Sequence, residues 1–120
     1  MESVSLEDAF DAIEETWDPH IVAEANDQHV KAARLEGEFV PHAHEDADEL
    51  FYVVDGELDI ELEDETVHLS AGELVVVPAG VEHKPVAESE ARVLLLEPAG
   101  TLNTGNADAD DRTIEEPKRL

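Results

Sequence analysis

Of the six histidines in this chain of 120 residues, His42 and His44 stand two apart, so on an extended strand both imidazoles point to one face. Glu49 follows five positions later and opens the apolar run Leu50-Phe51-Tyr52-Val53-Val54. Far along the chain, His83 comes just after the apolar run Leu74 to Val77 and the turn sequence Pro78-Ala79-Gly80. Three neutral imidazoles and one carboxylate make a nitrogen and oxygen donor set. It suits one divalent transition metal per chain (Fe, Mn, Ni, Co or Zn), with positions open for water or substrate. The chain has no cysteine, which removes thiolate ligands and disulfides together. An open-sided ion of this kind acts as a Lewis acid or generates a bound hydroxide.

The other histidines read differently. His68 shares a face with Thr66, opposite Val67 and Leu69, as a solvated strand residue does. His20 follows Asp18-Pro19 at a helix-to-strand junction and reads as a surface or capping residue. His29 shares a strand face with Lys31 and, with Tyr52, is a candidate acid or base beside the metal. Glu45, Asp46 and Asp48, in the loop between ligands, read as solvated acidic surface.

These side chains need a frame, and the hydrophobic periodicity supplies one. Leu6, Phe10, Ile13 and Trp17 recur at helical spacing behind the N-cap candidate Ser5, which predicts a helix over residues 5–17 closed by Pro19. From residue 20 to about 97 the period is two, interrupted by short turn signals, which predicts an all-β body. In residues 57–63, Leu58, Ile60 and Leu62 alternate with acidic residues, as in a sheet with one wet side. Leu50 to Val54 and Leu74 to Val77 are apolar on both faces and predict central strands covered on each side. Asp55-Gly56 predicts a two-residue hairpin. Short, evenly spaced strands of this kind form sandwiches or barrels.

With strands and turns assigned, the ligand spacing becomes identifiable. Gly37, His42-Ala43-His44, Glu49 and Gly56 resemble the first cupin motif; Gly72, Pro78-Ala79-Gly80 and His83 resemble the second. Fifteen residues separate the motifs, as in small single-domain cupins. Two departures stand out: four residues rather than the usual five lie between Gly37 and His42, and Ala87 stands where the second motif often ends in Asn. They touch the turn before the first motif and one supporting hydrogen bond, and leave the ligands intact. The stretches 44–51 and 97–106 are similar to small stand-alone prokaryotic cupins, many of them labelled mannose-6-phosphate isomerase-like. The resemblance implies a double-stranded β-helix, jelly-roll-like, with a short N-terminal helix (1–18), a barrel (19–98) and an irregular acidic tail (99–120). It implies that His42, His44, Glu49 and His83 converge in the barrel mouth, lined by Phe51, Val53 and Val76. It also implies a homodimer, with the N-terminal helix and strand docking and Trp17, Ile21 and Val22 needing cover.

Composition narrows the partners. Thirty-two acidic against seven basic residues leave a net charge of −25. The few scattered cations offer no surface for a nucleic-acid backbone or an anionic membrane. Leu, Ile, Val and Phe make up 32 of 120 residues, enough for a folded core despite the charge. Three lysines, abundant acids and few aromatics resemble the cytoplasmic proteins of extreme halophiles, in which molar salt screens the self-repulsion. No apolar run reaches 18 residues and Met1-Glu2-Ser3 lacks the features of a signal peptide, which reads as a cytoplasmic protein. The expected function is a metal-dependent enzyme acting on a small polar metabolite, as an oxygenase or as a lyase or isomerase; the alternative is a non-catalytic protein that binds or senses a small ligand. Sugar-phosphate isomerisation would need a cation near the metal, and only Lys31, Arg34, Lys84 and Arg92 are available for that.

Overall fold

The computed structural model of the protein describes residues 1–101 and 118–120. Ser5 caps α1 (Leu6–Ala12) by accepting a hydrogen bond from the Asp8 backbone N–H at 3.2 Å, while Glu7 and Asp8 complement the helix dipole. The helix is shorter than the apolar spacing predicts. It stops before Ile13, whose carbonyl accepts a hydrogen bond from the Arg34 guanidinium at 2.5 Å, and Trp17 adopts φ 59. Trp17 therefore leaves the helical face. It stacks on Phe39 with ring centroids 4.8 Å apart and donates its indole N–H to the Glu36 carbonyl.

Among the described residues eight strands follow: β1 (His20–Ala25), β2 (Gln28–Glu38), β3 (Glu49–Asp55), β4 (Glu57–Glu61), β5 (Thr66–Ser70), β6 (Leu74–Val77), β7 (Lys84–Pro98) and β8 (Lys118–Arg119). The all-β expectation is met, and the strands pair antiparallel except for the two-residue β8, which lies parallel to β1. β8 falls within the segment expected to be an irregular tail; residues 102–117 of that segment lie outside the described residues.

The long strand β7 organises the sheet. On one side it pairs with β2, from Val86 opposite Glu38 to Pro98 opposite Gln28. On the other side its first residues pair with β4 and its last with β3. β3 and β4 are thus successive halves of one bent strand, not the two arms of the hairpin that Asp55-Gly56 predicts. The corner sits at Gly56, with φ 85; a Cβ there would lie 2.8 Å from the Glu90 carbonyl oxygen and 3.0 Å from Ala91 Cα. Only glycine permits both that dihedral and that approach.

Alternation along these strands encloses the core. Ala91, Val93 and Leu95 of β7 meet Phe51 and Val53 of β3, Leu58 and Ile60 of β4, and Ala33 and Leu35 of β2. On the outer face, Phe10 of α1 and Ile13 just after it pack against Ala32, Val22, Val54 and Leu94. β6 departs from expectation. Its hydrogen-bonded neighbour is β3, so it forms an edge, and Leu74 and Val76 are 57% and 46% exposed. Its apolar outer positions, Leu74 and Val76, are not buried by the described residues. No helix among the described residues is long and apolar enough to cross a membrane.

Candidate metal centre

His42 and His83 are fixed to each other before their side chains are considered. Each backbone N–H donates to the other's carbonyl, at 3.0 and 2.8 Å, in an isolated antiparallel bridge. The turn before His83 is tied to the His44 loop twice, by Gly80 N–H donating to the His44 carbonyl and by Ala79 N–H donating to Asp48 Oδ1 at 2.8 Å. Asp48, read from sequence as acidic surface, is exposed yet braces the two ligand-bearing loops. Glu49 comes from the first position of β3, opposite Val77 of β6.

These constraints bring the four predicted ligands together. His42, His44, Glu49 and His83 are all buried, and their ligand atoms lie within 4.8 Å of one another, a group that could hold one metal ion. The ring orientations suit that use. Nδ1–H of His42 donates to the Val40 carbonyl at 2.9 Å and Nδ1–H of His83 to the Val81 carbonyl at 3.0 Å. In a neutral imidazole this leaves the Nε2 lone pair as the inward donor. Burial and the neighbouring His83 lower the His42 pKa to about 4, so at neutral pH that ring is uncharged.

Glu49 Oε1 lies 3.2 Å from His44 Nε2 and 3.3 Å from His83 Nε2. Burial pushes its carboxyl up, and its hydrogen-bond contacts with His44, His83 and Glu97 more than reverse this, so Glu49 stays ionised. A carboxylate oxygen this close to two imidazole nitrogens needs a proton or a metal cation between them. The donor set therefore fits a metal cation.

Behind Glu49 lies a buried pair that the spacing did not reveal. Lys31 and Glu97 are each 1% exposed, with Nζ 2.6 Å from Oε1. Burial and the adjacent Glu49 push the Glu97 pKa up to about 9 against the pull of Lys31. Residue type gave a clue: Glu97 occupies an inward position of β7, in phase with Val93 and Leu95.

In front of the ligands is a small apolar cavity of about 30 Å³, room for about two waters. His42 and Glu49 line it together with Trp17, Leu35, Phe39, Phe51 and Leu95. Phe51 meets the expectation of a lining residue, its ring edge-on to His83 at 5.9 Å. Val76 does not, because it points to the outer face of β6, and Val53 is buried in the core behind. Trp17 and Phe39 were missed, since nothing in their sequence spacing connects them with the ligands.

Tyr52 is not brought to the site. It alternates with the inward Phe51 and Val53 and sits between Leu74 and Leu94 on the opposite face of β3. His29 lies opposite Glu97, on the face of Lys31, with its Nε2 3.6 Å from Glu24 Oε1 and its Nδ1 buried without a hydrogen-bond partner. His20 is buried rather than superficial, 3.2 Å from Asp18 Oδ2. His68 is exposed between Asp59 and Glu57, and hydrogen bonds to these two carboxylates raise its pKa.

The chain is similar to known proteins. The chain is 42% identical over 64 residues to the uncharacterized protein YdbB of Bacillus subtilis (strain 168), a match covering 52% of this chain and 57% of that protein. It is similar to the crystal structure of a cupin-2 domain containing protein from Shewanella frigidimarina, with 43% identity and a TM-score of 0.78 over 79% of this chain and 93% of that one. It is also similar to KdgF from Halomonas sp., with 34% identity and a TM-score of 0.60 over 67% of this chain and 76% of that one. The family described as Cupin domain (Cupin_2) matches residues 28–97, the stretch from β2 through β7 that carries all four ligands. The chain belongs to the cupin family.

Proposed function

We propose that this cupin holds one divalent transition metal (Fe, Mn, Ni, Co or Zn) through His42, His44, Glu49 and His83, and acts as an enzyme on a small polar metabolite. The reaction class is oxygenase or lyase/isomerase. The observation that carries this reading is the convergence of three imidazoles and one ionised carboxylate, all buried, within 4.8 Å, a donor set that one bound cation satisfies. Bound there, the metal supplies Lewis-acid or oxygen-activating chemistry on the side that faces the cavity. The chain's own residues do the rest. Trp17 and Phe39 exclude bulk water, the Val40 and Val81 carbonyls hold the ring orientations, and His29 beside Glu97 is the candidate proton carrier outside the ligand set.

The substrate is not a phosphate ester on this reading. Arg34 is engaged by Glu90, Lys84 by Glu38 and Glu61, Arg92 by Asp11 and Lys31 by Glu97, and none of the four lines the cavity. The small cavity, with no acid or base besides the ligands themselves, favours a second reading: a non-catalytic cupin that binds a small ligand. We further infer a homodimer and an origin in a high-salt cytoplasm, supported by the uncovered apolar face of β6 and by the net charge.

Elemental analysis of untagged protein prepared in molar salt tests the first reading. Near-stoichiometric metal in the native protein, lost in both His42→Ala and His83→Ala, is the expected result. Absence of metal after reconstitution with each of the five ions refutes it. Oxygen consumption or metabolite turnover abolished by His44→Ala separates the enzyme from the binding protein.

A further inference from the structure

A buried ammonium paired with a buried carboxyl is an expensive way to fill a barrel. Replacing such a pair with apolar side chains of similar volume is often neutral or stabilising. The inward neighbours of Lys31 and Glu97 along β2 and β7 are Ala33, Leu35, Val93 and Leu95, so packing alone asks only for more of the same. The pair has another neighbour. Leu50 of β3 lies opposite Leu96 of β7, and the next step in that register sets Glu49 beside Glu97. Lys31 reaches Glu97 from the other flank, across the β2–β7 ladder, at 2.6 Å. The result is a continuous buried line from Lys31 through Glu97 to Glu49, ending on His44 and His83.

Resting on the metal-binding reading above, we propose that Lys31 and Glu97 are positioning residues. They hold the Glu49 carboxylate in the orientation that meets the three imidazoles, and thereby set the affinity of the site for its ion. Glu49 stands at the very start of β3, directly after the loop that carries His44, where strand pairing restrains its side chain least. The tether from behind supplies the restraint. Lys31 does not serve the cavity as an anion receptor, because its Nζ is 2% exposed as a side chain and bonded to Glu97. Groups that orient a metal ligand in this way typically contribute a factor of roughly 10 to 100 in metal affinity.

The experiment titrates Co(II) and Zn(II) into the metal-free full chain in molar salt, reading affinity by calorimetry and the ligand field by the Co(II) absorption spectrum. Three variants are compared with the native protein. The double variant Lys31→Met/Glu97→Leu keeps an apolar, filled interior; it is expected to fold, to bind both ions roughly 10- to 100-fold more weakly and to shift the Co(II) spectrum. Glu97→Gln retains an acceptor for Lys31 and a donor for Glu49, and is expected to stay within about threefold of native affinity. Glu97→Met removes both and is expected to fall with the double variant. Native affinity and an unchanged spectrum in the double variant refute the positioning role and leave the metal site standing. Should the double variant not fold, equal affinities for Glu97→Gln and Glu97→Met refute it in the same way. Native protein that binds neither ion overturns the metal reading, and this proposal with it.

Discussion

Single residues in this protein act mostly by holding others. Arg34 is an example away from the site. Its guanidinium donates to Glu90 Oε1 at 2.5 and 3.1 Å and to the Ile13 carbonyl, joining β7, β2 and the end of α1. The hydrogen bond from Arg34 holds the Glu90 carboxyl below its ordinary value of 4.5. The pair's stabilisation is therefore complete above that value and is lost as the pH falls through the lower, folded-state value. Thermal melts of the native protein and Glu90→Gln should differ at pH 7 and converge as the pH falls below the folded-state value; a gap undiminished in acid would refute the assignment. The four candidate ligands were legible because short spacings encode them: one residue between two imidazoles, and a turn before His83. Lys31 and Glu97 were not. They lie 66 positions apart among 32 acidic residues, and only the β2–β7 register joins them.

Elements were legible in type and misread in partnership. Period two gave the strands, because each has one face in the core. Composition could not say which strand pairs with which, and Asp55-Gly56 serves a corner as readily as a hairpin, since both need a positive φ. The apolar outer face of β6 was read as a buried central strand for a related reason: a sequence marks a surface as needing cover and does not say whose atoms cover it. Across the register, Val76, Leu50, Leu96 and Val30 form one outer row, and Leu74, Tyr52 and Leu94 the next. The docking elements expected at the N-terminus are largely spent within the chain, since Ile21 is buried and Trp17 roofs the cavity. The β6–β3–β7 face is then the surface we propose for a second copy. Sedimentation equilibrium in molar salt should give a dimer for the native chain and a monomer with an unchanged circular dichroism spectrum for Val76→Glu; a dimer in both removes this face from the interface.

At the scale of the molecule, charge dominates. A net charge of −25 on a domain with a radius of gyration of 13.3 Å repels itself at every distance that the solvent does not screen. The Debye length is about 3 Å in molar salt and about 10 Å at 0.1 M, so dilution brings many more pairs of carboxylates into effective contact. The fluorescence of Trp17, the one tryptophan, should report cooperative unfolding as salt is lowered from molar to about 0.1 M. A signal flat over that range would refute the high-salt origin. Because an ion bound at the four ligands stabilises only the folded state, saturating metal should move that midpoint to lower salt.

The position of β7 in the chain also bears on how the protein is made. β2, β3 and β4 each find a principal partner in a strand that begins at Lys84 and ends at Pro98. While the ribosome is still adding residues before that point, β1 has β2, β4 has β5 and β3 has β6, but the strand that joins these pairs into one sheet is missing. Pairings this distant in sequence close slowly, on the millisecond-to-second scale of β-rich domains. The protein is therefore committed to folding late, almost wholly after the seventh strand has left the exit tunnel. Through that interval its dense negative charge is what keeps the unpaired edges of neighbouring nascent chains apart.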